Sequence, residues 1–203
     1  ARREFGMTAA RLVLASGSAA RRQMLLNAGL HFDVVPAKID EDRLRDDLIE
    51  AASHSEIAAE LAAAKALAVA ALQPCAIVIG SDQILSTGEA ILSKPRSRSD
   101  ARDTLRLLRG RTHWLHSGVA IAIDDRVVWR AVESAKLTMR TISNAELEDY
   151  LDVAGEGIFG CVGAYEIDGA GIRLFERVEG DHFTIMGMPL LPLLAELRGQ
   201  GIA

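Results

Sequence analysis

The sequence predicts an α/β fold with a mixed central β-sheet and helices on both faces. Short apolar runs that look like strands alternate with helical patterns along the first half of the chain, which is typical of βα units. Two longer strand-like segments, residues 112–123 and 126–142, follow and meet at Asp124-Asp125 in a hairpin. Because βα units give parallel strands and a hairpin gives an antiparallel pair, the predicted sheet is mixed.

Further helices and strands are predicted from local signals. Ser53-x-x-Glu56 and Ser143-x-x-Glu146 are capping-box patterns that mark helix starts, and Pro189 marks the start of a final helix. The predicted strands are 11–16, 31–36, 75–80, 84–92 and 172–178, and the predicted helices are 19–28, 55–72, 100–109, 143–151 and one after 189.

Composition limits the classes of function. The 203 residues carry a formal net charge of −5, which argues against a broad nucleic-acid-binding surface. No apolar run is long enough to span a membrane, and the two cysteines, Cys75 and Cys161, lack zinc-ligand spacing and are predicted to be packing residues. We therefore expect a cytoplasmic protein that binds neither nucleic acid nor membrane.

The chain is predicted to form one domain from residue 7 to residue 203. Residues 1–6, ARREFG, precede Met7 and lack the apolar segment of a signal peptide. We interpret them as an expression remnant or a disordered N-terminus.

The stretch LASGSAARRQMLL places hydroxyl and guanidinium groups between a strand and a helix. Helix N-termini attract anions, and forked arginine donors match phosphate oxygens. Ser16, Ser18, Arg21 and Arg22 are therefore candidate phosphate ligands. On the residues alone an alternative remains, in which the serines cap the helix and the arginines are solvated.

Five further segments carry groups suited to phosphate chemistry. Asp82, in GSDQ after the predicted 75–80 strand, is a candidate metal ligand or general base, or else a turn former. Lys65, on the apolar stripe of the 55–72 helix, points into a cleft or extends outward at the stripe edge. Glu41, in KIDED, is a candidate ligand for Mg²⁺ or Mn²⁺, or else part of a solvated helix start. Lys94 is a further candidate, next to Pro95, which fixes the backbone around it.

The last of these segments is the glycine-rich stretch 160–171, which carries Glu166 and Asp168. Its glycines allow close approach to a flat ligand but also suit plain tight turns. Taken together, the cations, the carboxylates and the predicted helix N-terminus form the set that phosphoanhydride hydrolysis requires.

The chain resembles the Maf family of house-cleaning nucleoside triphosphate pyrophosphatases from Leu12 to Leu197. The resemblance is carried by LASGSAARRQMLL, KIDED, AAAKA, GSDQ, LSKP, HSGVAI, VES-x-x-x-T and GAYEIDGAGIRLFERVEGDHFTIMGMPLLPLL. It implies cleavage between the α and β phosphates, a fold of two lobes around a deep cleft, a divalent cation (Mg²⁺ or Mn²⁺) and, from the family alone, a homodimer.

The resemblance also implies roles for individual residues. Ser18 and Arg21 match the phosphate-binding loop, and Lys65 and Lys94 match cleft lysines that contact phosphates. Glu41 matches the acidic residue near the metal and the attacking water. Asp82 matches the proton acceptor, and with Glu41 it is the predicted metal ligand pair.

Three positions are those that the family uses to select the base: Ala20, Gln83 and Asp168. The branch for dTTP and UTP typically has Arg, Thr and Gln there, and the branch for 7-methyl-GTP has Trp, Gln and Glu. Gln83 and the acidic Asp168 favour the second branch, whereas Ala20 lacks its aromatic ring and, with Ala19, departs from the usual S-x-S-P-R-R loop. The alternative function is a nucleotide-binding regulator of cell division and septum formation.

Overall fold

The computed structural model describes residues 11–88 and 90–202. Residues 1–10 lie outside this part. The prediction for residues 1–6 and the predicted start of the domain at residue 7 fall on them. The strands are β1 (Leu12–Leu14), β2 (Asp33–Val34), β3 (Ile77–Ser86), β4 (Ile91–Leu92), β5 (Thr112–Ile123), β6 (Arg126–Met139) and β7 (Phe175–Glu179). The α-helices are α1 (Ala19–Asn27), α2 (Glu41–Leu48), α3 (His54–Ala70), α4 (Arg98–Leu108), α5 (Asn144–Ala154), α6 (His182–Ile185) and α7 (Leu190–Gly199). Two 3-10 helices span Gly155–Gly160 and Ala170–Leu174.

The seven described strands form one sheet in the order β2-β1-β3-β5-β6-β7, with β4 paired to β3. Strand β1 is parallel to both β2 and β3, and the pairs from β3 through β5 and β6 to β7 are antiparallel. Strands β5 and β6 form the predicted hairpin. The prediction of a mixed sheet is therefore confirmed.

Alternation along the strands supplies two apolar faces, because successive side chains point to opposite sides of a sheet. Val13, Val78 and Ala120 pack with the alanines of α3 on one face. On the other face, an apolar cluster contains strand residues together with residues from α1 and α7: Leu12, Leu14, Ile77, Ile79, Val119, Ile121, Met24, Leu25, Leu193 and Leu197. The prediction of helices on both faces is confirmed.

A second core lies toward the far ends of the long strands. Leu85 of β3, Leu115 of β5 and Leu137 of β6 pack there with Leu105 of α4 and Leu147 of α5. Strands β3, β5 and β6 thus contribute side chains both to this core and to the cores around α1, α3 and α7. The two lobes share one sheet.

Helix α3 packs unusually close to the sheet because two strand positions lack a side chain. A Cβ built at Gly80 would lie 2.2 Å from the Ala62 carbonyl oxygen, and one at Gly118 would lie 2.3 Å from that of Ala58. Both distances are too short for any other residue, so the helix backbone rests directly on β3 and β5.

Two expectations of the sequence analysis are wrong in detail. Strand β3 does not stop at Gly80 but continues through Ser81, Asp82 and Gln83 to Ser86, so Asp82 lies within a strand rather than in a turn after it. Cys75 is exposed and precedes the strand with a φ of 61°, so it is not a packing residue. Helices in the described ranges are all too short or too polar to cross a membrane.

Candidate active site

A cleft of about 1200 Å³ brings together every predicted site residue except Arg22, which is exposed and does not line it. One side of the cleft, here called the cleft floor, comes from the β1–α1 loop, the start of α2, Lys65 of α3, and Asp82 and Gln83 of β3. The other side, here called the opposite wall, comes from Lys94 and residues 157–168. The predicted residues that line the cleft are Ser16, Ser18, Ala20, Arg21, Glu41, Lys65, Asp82, Gln83, Lys94 and Asp168.

The centre of the cleft floor is a cluster of one ammonium and two carboxylates. Lys65 Nζ lies 2.6 Å from Asp82 Oδ1 and 2.9 Å from Glu41 Oε1. Lys65 and Asp82 are only 7% and 8% exposed, whereas Glu41, the first residue of α2, is exposed. The lysine therefore points into the cleft and does not extend outward into solvent.

Close packing of α3 explains this cluster. Asp82 follows Gly80 by two residues on β3, so both face the helix, and Lys65 lies one residue before Ala66, whose backbone nitrogen would be 2.5 Å from a Cβ at Gly80. With the helix backbone against the strand, a lysine side chain reaches the aspartate on the next inward-facing position. Buried charges of this kind are stable only when paired, as these are.

Arg21 lies beside the cluster with its guanidinium buried. Its Nε donates to the Gly187 carbonyl oxygen at 2.9 Å, and its Nη1 donates to the Ser81 carbonyl oxygen at 2.9 Å and to Ser16 Oγ at 3.2 Å. Burial lowers the pKa of Arg21, while the charges of Asp82 and Glu41 raise it. Within residues 11–88 and 90–202, Nη2 makes no hydrogen bond to the protein, so it remains available to an anion.

The serines of the opening motif shape the start of α1. Ser18 is the N-cap, and its Oγ accepts from the Arg21 backbone nitrogen at 3.4 Å. Ser16 Oγ accepts from the Ser18 backbone nitrogen at 3.3 Å. The capping role is therefore real, and it presents the amides of the helix N-terminus to the same cleft that holds Arg21. Arg22 points away.

The opposite wall carries its charges differently. Lys94 and Asp168 line the cleft but are exposed, and so is Glu166. Cys161, on the same wall, has its pKa raised to about 11, mainly by burial and further by the charges of Glu166 and Asp168, with Lys94 acting in the opposite direction. The three charged groups thus lie within electrostatic reach of the Cys161 thiol.

Aromatic packing anchors the opposite wall to the second core. The Tyr165 hydroxyl is 2.7 Å from His113 Nε2, and the Tyr165 ring meets Phe175 edge to face with centroids 4.7 Å apart. Tyr150 donates to the Ala164 carbonyl oxygen at 3.2 Å, at a residue held at a φ of 57°. The loop is therefore fixed at residues 164 and 165, while its charged side chains stay in solvent.

Several residues that hold the site together were not singled out from the sequence. Ser81 donates to the Gly118 and Gly187 carbonyl oxygens at 2.8 and 3.1 Å, and Ser117 and Thr184, both fully buried, bond to one another and to Gln83. Each lies inside a motif that was recognised as a whole, GSDQ, HSGVAI or the FTIMGMP segment. Spacing alone gives no sign that these side chains meet.

Glu41 and Asp82 are the residues that fit a divalent cation. Both offer carboxylate oxygens within 2.9 Å of one ammonium, so the two groups converge. Among the described residues no group of three or more potential ligands gathers. Mg²⁺ commonly binds one or two carboxylates and completes its shell with water and substrate phosphates, so this pair suits it.

The fold and the cleft define an α/β protein with a mixed-charge cleft suited to a phosphorylated ligand. A family model described as Maf-like protein matches residues 11–200. The chain therefore belongs to the Maf family.

Curated relatives cover almost the whole chain. A protein of Nitrobacter winogradskyi named nucleoside triphosphate pyrophosphatase is 50% identical over 190 residues, 93% of each chain. One of Bradyrhizobium diazoefficiens with the same name is 49% identical over 189 residues, again 93% of each chain. A protein of Rhizobium meliloti named 7-methyl-GTP pyrophosphatase is 47% identical over 191 residues, 94% of this chain and 96% of its own.

Proposed function

We propose that this protein is a nucleoside triphosphate pyrophosphatase, a hydrolase that splits a nucleoside triphosphate and water into a nucleoside monophosphate and diphosphate. The observation that carries the proposal is the Lys65 ammonium held between Asp82 and Glu41 on the cleft floor. The family membership and the names of the relatives support it. They do not support the alternative of a regulator of cell division that binds nucleotide without hydrolysing it.

The proposed roles follow from position and charge. Asp82, a buried carboxylate, accepts a proton from a water that attacks phosphorus, and the bond to the bridging oxygen breaks with its electron pair leaving on diphosphate. Lys65, Arg21 Nη2 and Lys94 hold phosphate oxygens, and the α1 N-terminus with Ser18 adds amide donors. Fixed donors in a partly buried cleft stabilise charge that develops in the transition state.

Glu41 and Asp82 are the residues that would hold a divalent cation, Mg²⁺ or Mn²⁺. A bound cation would supply further neutralisation of phosphate charge. Because Lys65 contacts both carboxylates, a cation held by them would share these oxygens with the lysine, which could then turn toward phosphate oxygens. The flexible four-carbon stem of lysine permits such a change of partner.

For the base, we propose a guanine type, with 7-methyl-GTP as the leading substrate. Asp168 offers an acidic acceptor to the N1–H and amino donors of guanine, and it would repel the O4 oxygen of uracil or thymine. Ala20 leaves space beside the base. The role that follows is removal of modified nucleotides before they enter nucleic acids, and a homodimer stays a prediction from the family.

The test is diphosphate release with Mg²⁺ or Mn²⁺ across 7-methyl-GTP, UTP, dTTP and dCTP. We expect turnover in the wild type and a loss of about 1,000-fold or more in Asp82→Asn, which keeps the shape but removes the proton acceptor. Asp125→Asn, in the exposed β5–β6 turn, is the matched control and should keep full activity. A fully active Asp82→Asn would remove the role given to Asp82, and nucleotide binding with no turnover in the wild type would favour the regulator.

A further inference from the structure

The side-chain amide of Gln83 is held by three acceptors. Its Nε2 donates to Ser117 Oγ at 3.0 Å, to the Thr184 carbonyl oxygen at 3.1 Å and to the Ile185 carbonyl oxygen at 3.0 Å. Gln83 itself is half-buried and lines the cleft. Both amide hydrogens are therefore engaged on the side facing helix α6.

The three acceptors fix the orientation of this amide. The two carbonyl oxygens can only accept. Ser117 Oγ donates its own hydrogen to the Thr184 carbonyl oxygen at 2.7 Å, so toward Gln83 it too acts as an acceptor. Rotating the amide by 180° would place its oxygen against three acceptors, leaving buried groups unpaired at substantial cost.

With the nitrogen directed at α6, the Gln83 oxygen is left for the cleft. In the described ranges no protein donor bonds to Gln83 Oε1, and this oxygen is not buried. It is thus an accessible acceptor on the cleft floor, next to Asp82 on β3.

The acceptors that fix Gln83 are themselves held. Thr184 Oγ1 donates to Glu133 Oε2 of β6 at 2.9 Å, and its backbone nitrogen donates to Asp181 Oδ2 at 2.9 Å. Thr184 and Ser117 are both 0% exposed. A continuous network therefore runs from β6 through α6 and β5 to the amide of Gln83.

We propose that Ser117 and Thr184 are positioning residues that hold the Gln83 amide with Oε1 in the cleft, so that the site selects bases presenting N–H donors there. This inference rests on the proposed function and deepens it. The protein then offers acceptor groups, Gln83 Oε1 and the Asp168 carboxylate, to the base. Adjacent N–H donors, as on the N1 and amino groups of guanine, match such acceptors, whereas the O4 of uracil or thymine does not.

The test compares binding of α,β-methylene analogues of GTP and UTP, in which the scissile bridge is not hydrolysed. Calorimetry gives the ratio of the two dissociation constants for the wild type, Ser117→Ala, Thr184→Val and Thr184→Ser. Ser117→Ala removes one acceptor of the amide, and Thr184→Val removes the bond to Glu133 while keeping the shape. Ser86→Ala is the matched control, because Ser86 is a buried serine on β3, the strand of Gln83, that bonds to His116 and does not line the cleft.

We expect the wild type to prefer the GTP analogue, and we expect this preference to fall about fivefold in Ser117→Ala and in Thr184→Val, the effect of about one hydrogen bond. Thr184→Ser should restore the wild-type ratio, and Ser86→Ala should keep it. Should Ser117→Ala fail to fold, the Thr184 pair carries the test alone. The inference is overturned by a wild type without base preference, by unchanged ratios in the variants, or by an equal fall in Ser86→Ala.

Diphosphate release by the wild type is measured separately. A wild type that binds with the expected preference and variant pattern but releases no diphosphate would refute the proposed hydrolysis and leave this inference standing. A wild type that turns over both nucleotides with equal kcat/KM and binds both analogues equally would refute the inference and leave the hydrolysis standing.

Discussion

The cleft floor and the opposite wall are built from the same types of charged residue but hold them in different ways. On the floor, Lys65, Asp82 and Arg21 are less than a tenth exposed, and each is bonded to a strand, a helix or both. On the wall, Lys94 and Asp168 are exposed and lie in connecting segments outside the helices and strands. A rigid floor suits chemistry that requires fixed charges, and an exposed loop suits recognition of a variable base.

Glycine permits close packing in both regions. At the floor, Gly80 and Gly118 let α3 touch β3 and β5, and on the wall a Cβ at Gly163 would lie 2.2 Å from the Tyr165 ring, whereas Gly160 has open space around it. The contrast between the two regions therefore lies in the exposure of their charged side chains. The predictions below test that contrast, from the largest expected effect to the smallest.

The largest effect is expected from Gly80→Ala. The new Cβ would lie 2.2 Å from the Ala62 carbonyl oxygen, so helix and strand must separate, and we expect a loss of more than about 3 kcal/mol in the free energy of unfolding. Gly160→Ala, where nothing lies within 4 Å, is the matched control and should unfold like the wild type. Urea titration measures both. Equal stability of the two variants would contradict the account of α3 packing.

Lys65→Met should lower kcat/KM by about 100- to 1,000-fold, because it removes a charge from the phosphate site on the floor. The apolar replacement keeps most of the volume and leaves Asp82 without its 2.6 Å partner. Lys136→Met, which removes an exposed lysine paired with Glu179 on the sheet edge, is the control and should retain activity. Comparable losses in both variants would show that the effect is one of general charge.

The anchor of the opposite wall should be sensitive to acid. Burial among Tyr165, Phe175 and the second core lowers the pKa of His113 to about 4 from its ordinary 6.5. Between pH 6.5 and 4 the unfolded chain binds a proton that the folded chain does not, so stability falls across this window and levels off below it. From one group we expect about 3 kcal/mol.

The measurement is the free energy of unfolding as a function of pH for the wild type and His113→Gln. The variant should lose less stability than the wild type between pH 6.5 and 4. The pKa of His116 is also lowered to about 4, by burial and by His54, so both proteins keep the slope due to that group. Parallel curves for the two proteins would exclude His113 as a source of the slope.

The smallest effect is expected from Asp168→Gln, which changes the base-reading group on the exposed wall. We expect the ratio of kcat/KM for 7-methyl-GTP over UTP to fall about tenfold, because a carboxylate acceptor is replaced by an amide that also donates. Stability should not change. An unchanged ratio across the nucleotide panel would remove Asp168 from base selection.

Much of the fold could be predicted because local signals agreed with one another. The capping boxes at Ser53 and Ser143 form as the sequence indicates, and the hairpin turns at Asp124-Asp125. The end of β3 could not be predicted, because Ser81, Asp82 and Gln83 are polar residues of a kind that is typical of turns. They remain in the strand because β5 pairs with every one of them.

The candidate site was predictable in its charged residues and not in the groups that orient them. From the sequence, Lys65 could point into the cleft or extend outward into solvent. Only the packing of α3 on Gly80 and Gly118 decides between these two interpretations. The contacts of Arg21 with Gly187 and of Gln83 with Thr184 span more than 100 residues of sequence. Such contacts depend on the order of strands in the sheet, which the sequence pattern leaves undetermined.

The three long strands that serve both cores have a mechanical consequence. Because β3, β5 and β6 run without interruption from one lobe to the other, no linker exists in these strands about which the lobes could swing. Narrowing the cleft around a ligand would require these hydrogen-bonded strands to bend, and a paired sheet resists bending through large angles. We therefore expect the width of the cleft to change little when a ligand binds. Adjustment would be confined to side chains such as Lys94 and to the loop around Asp168.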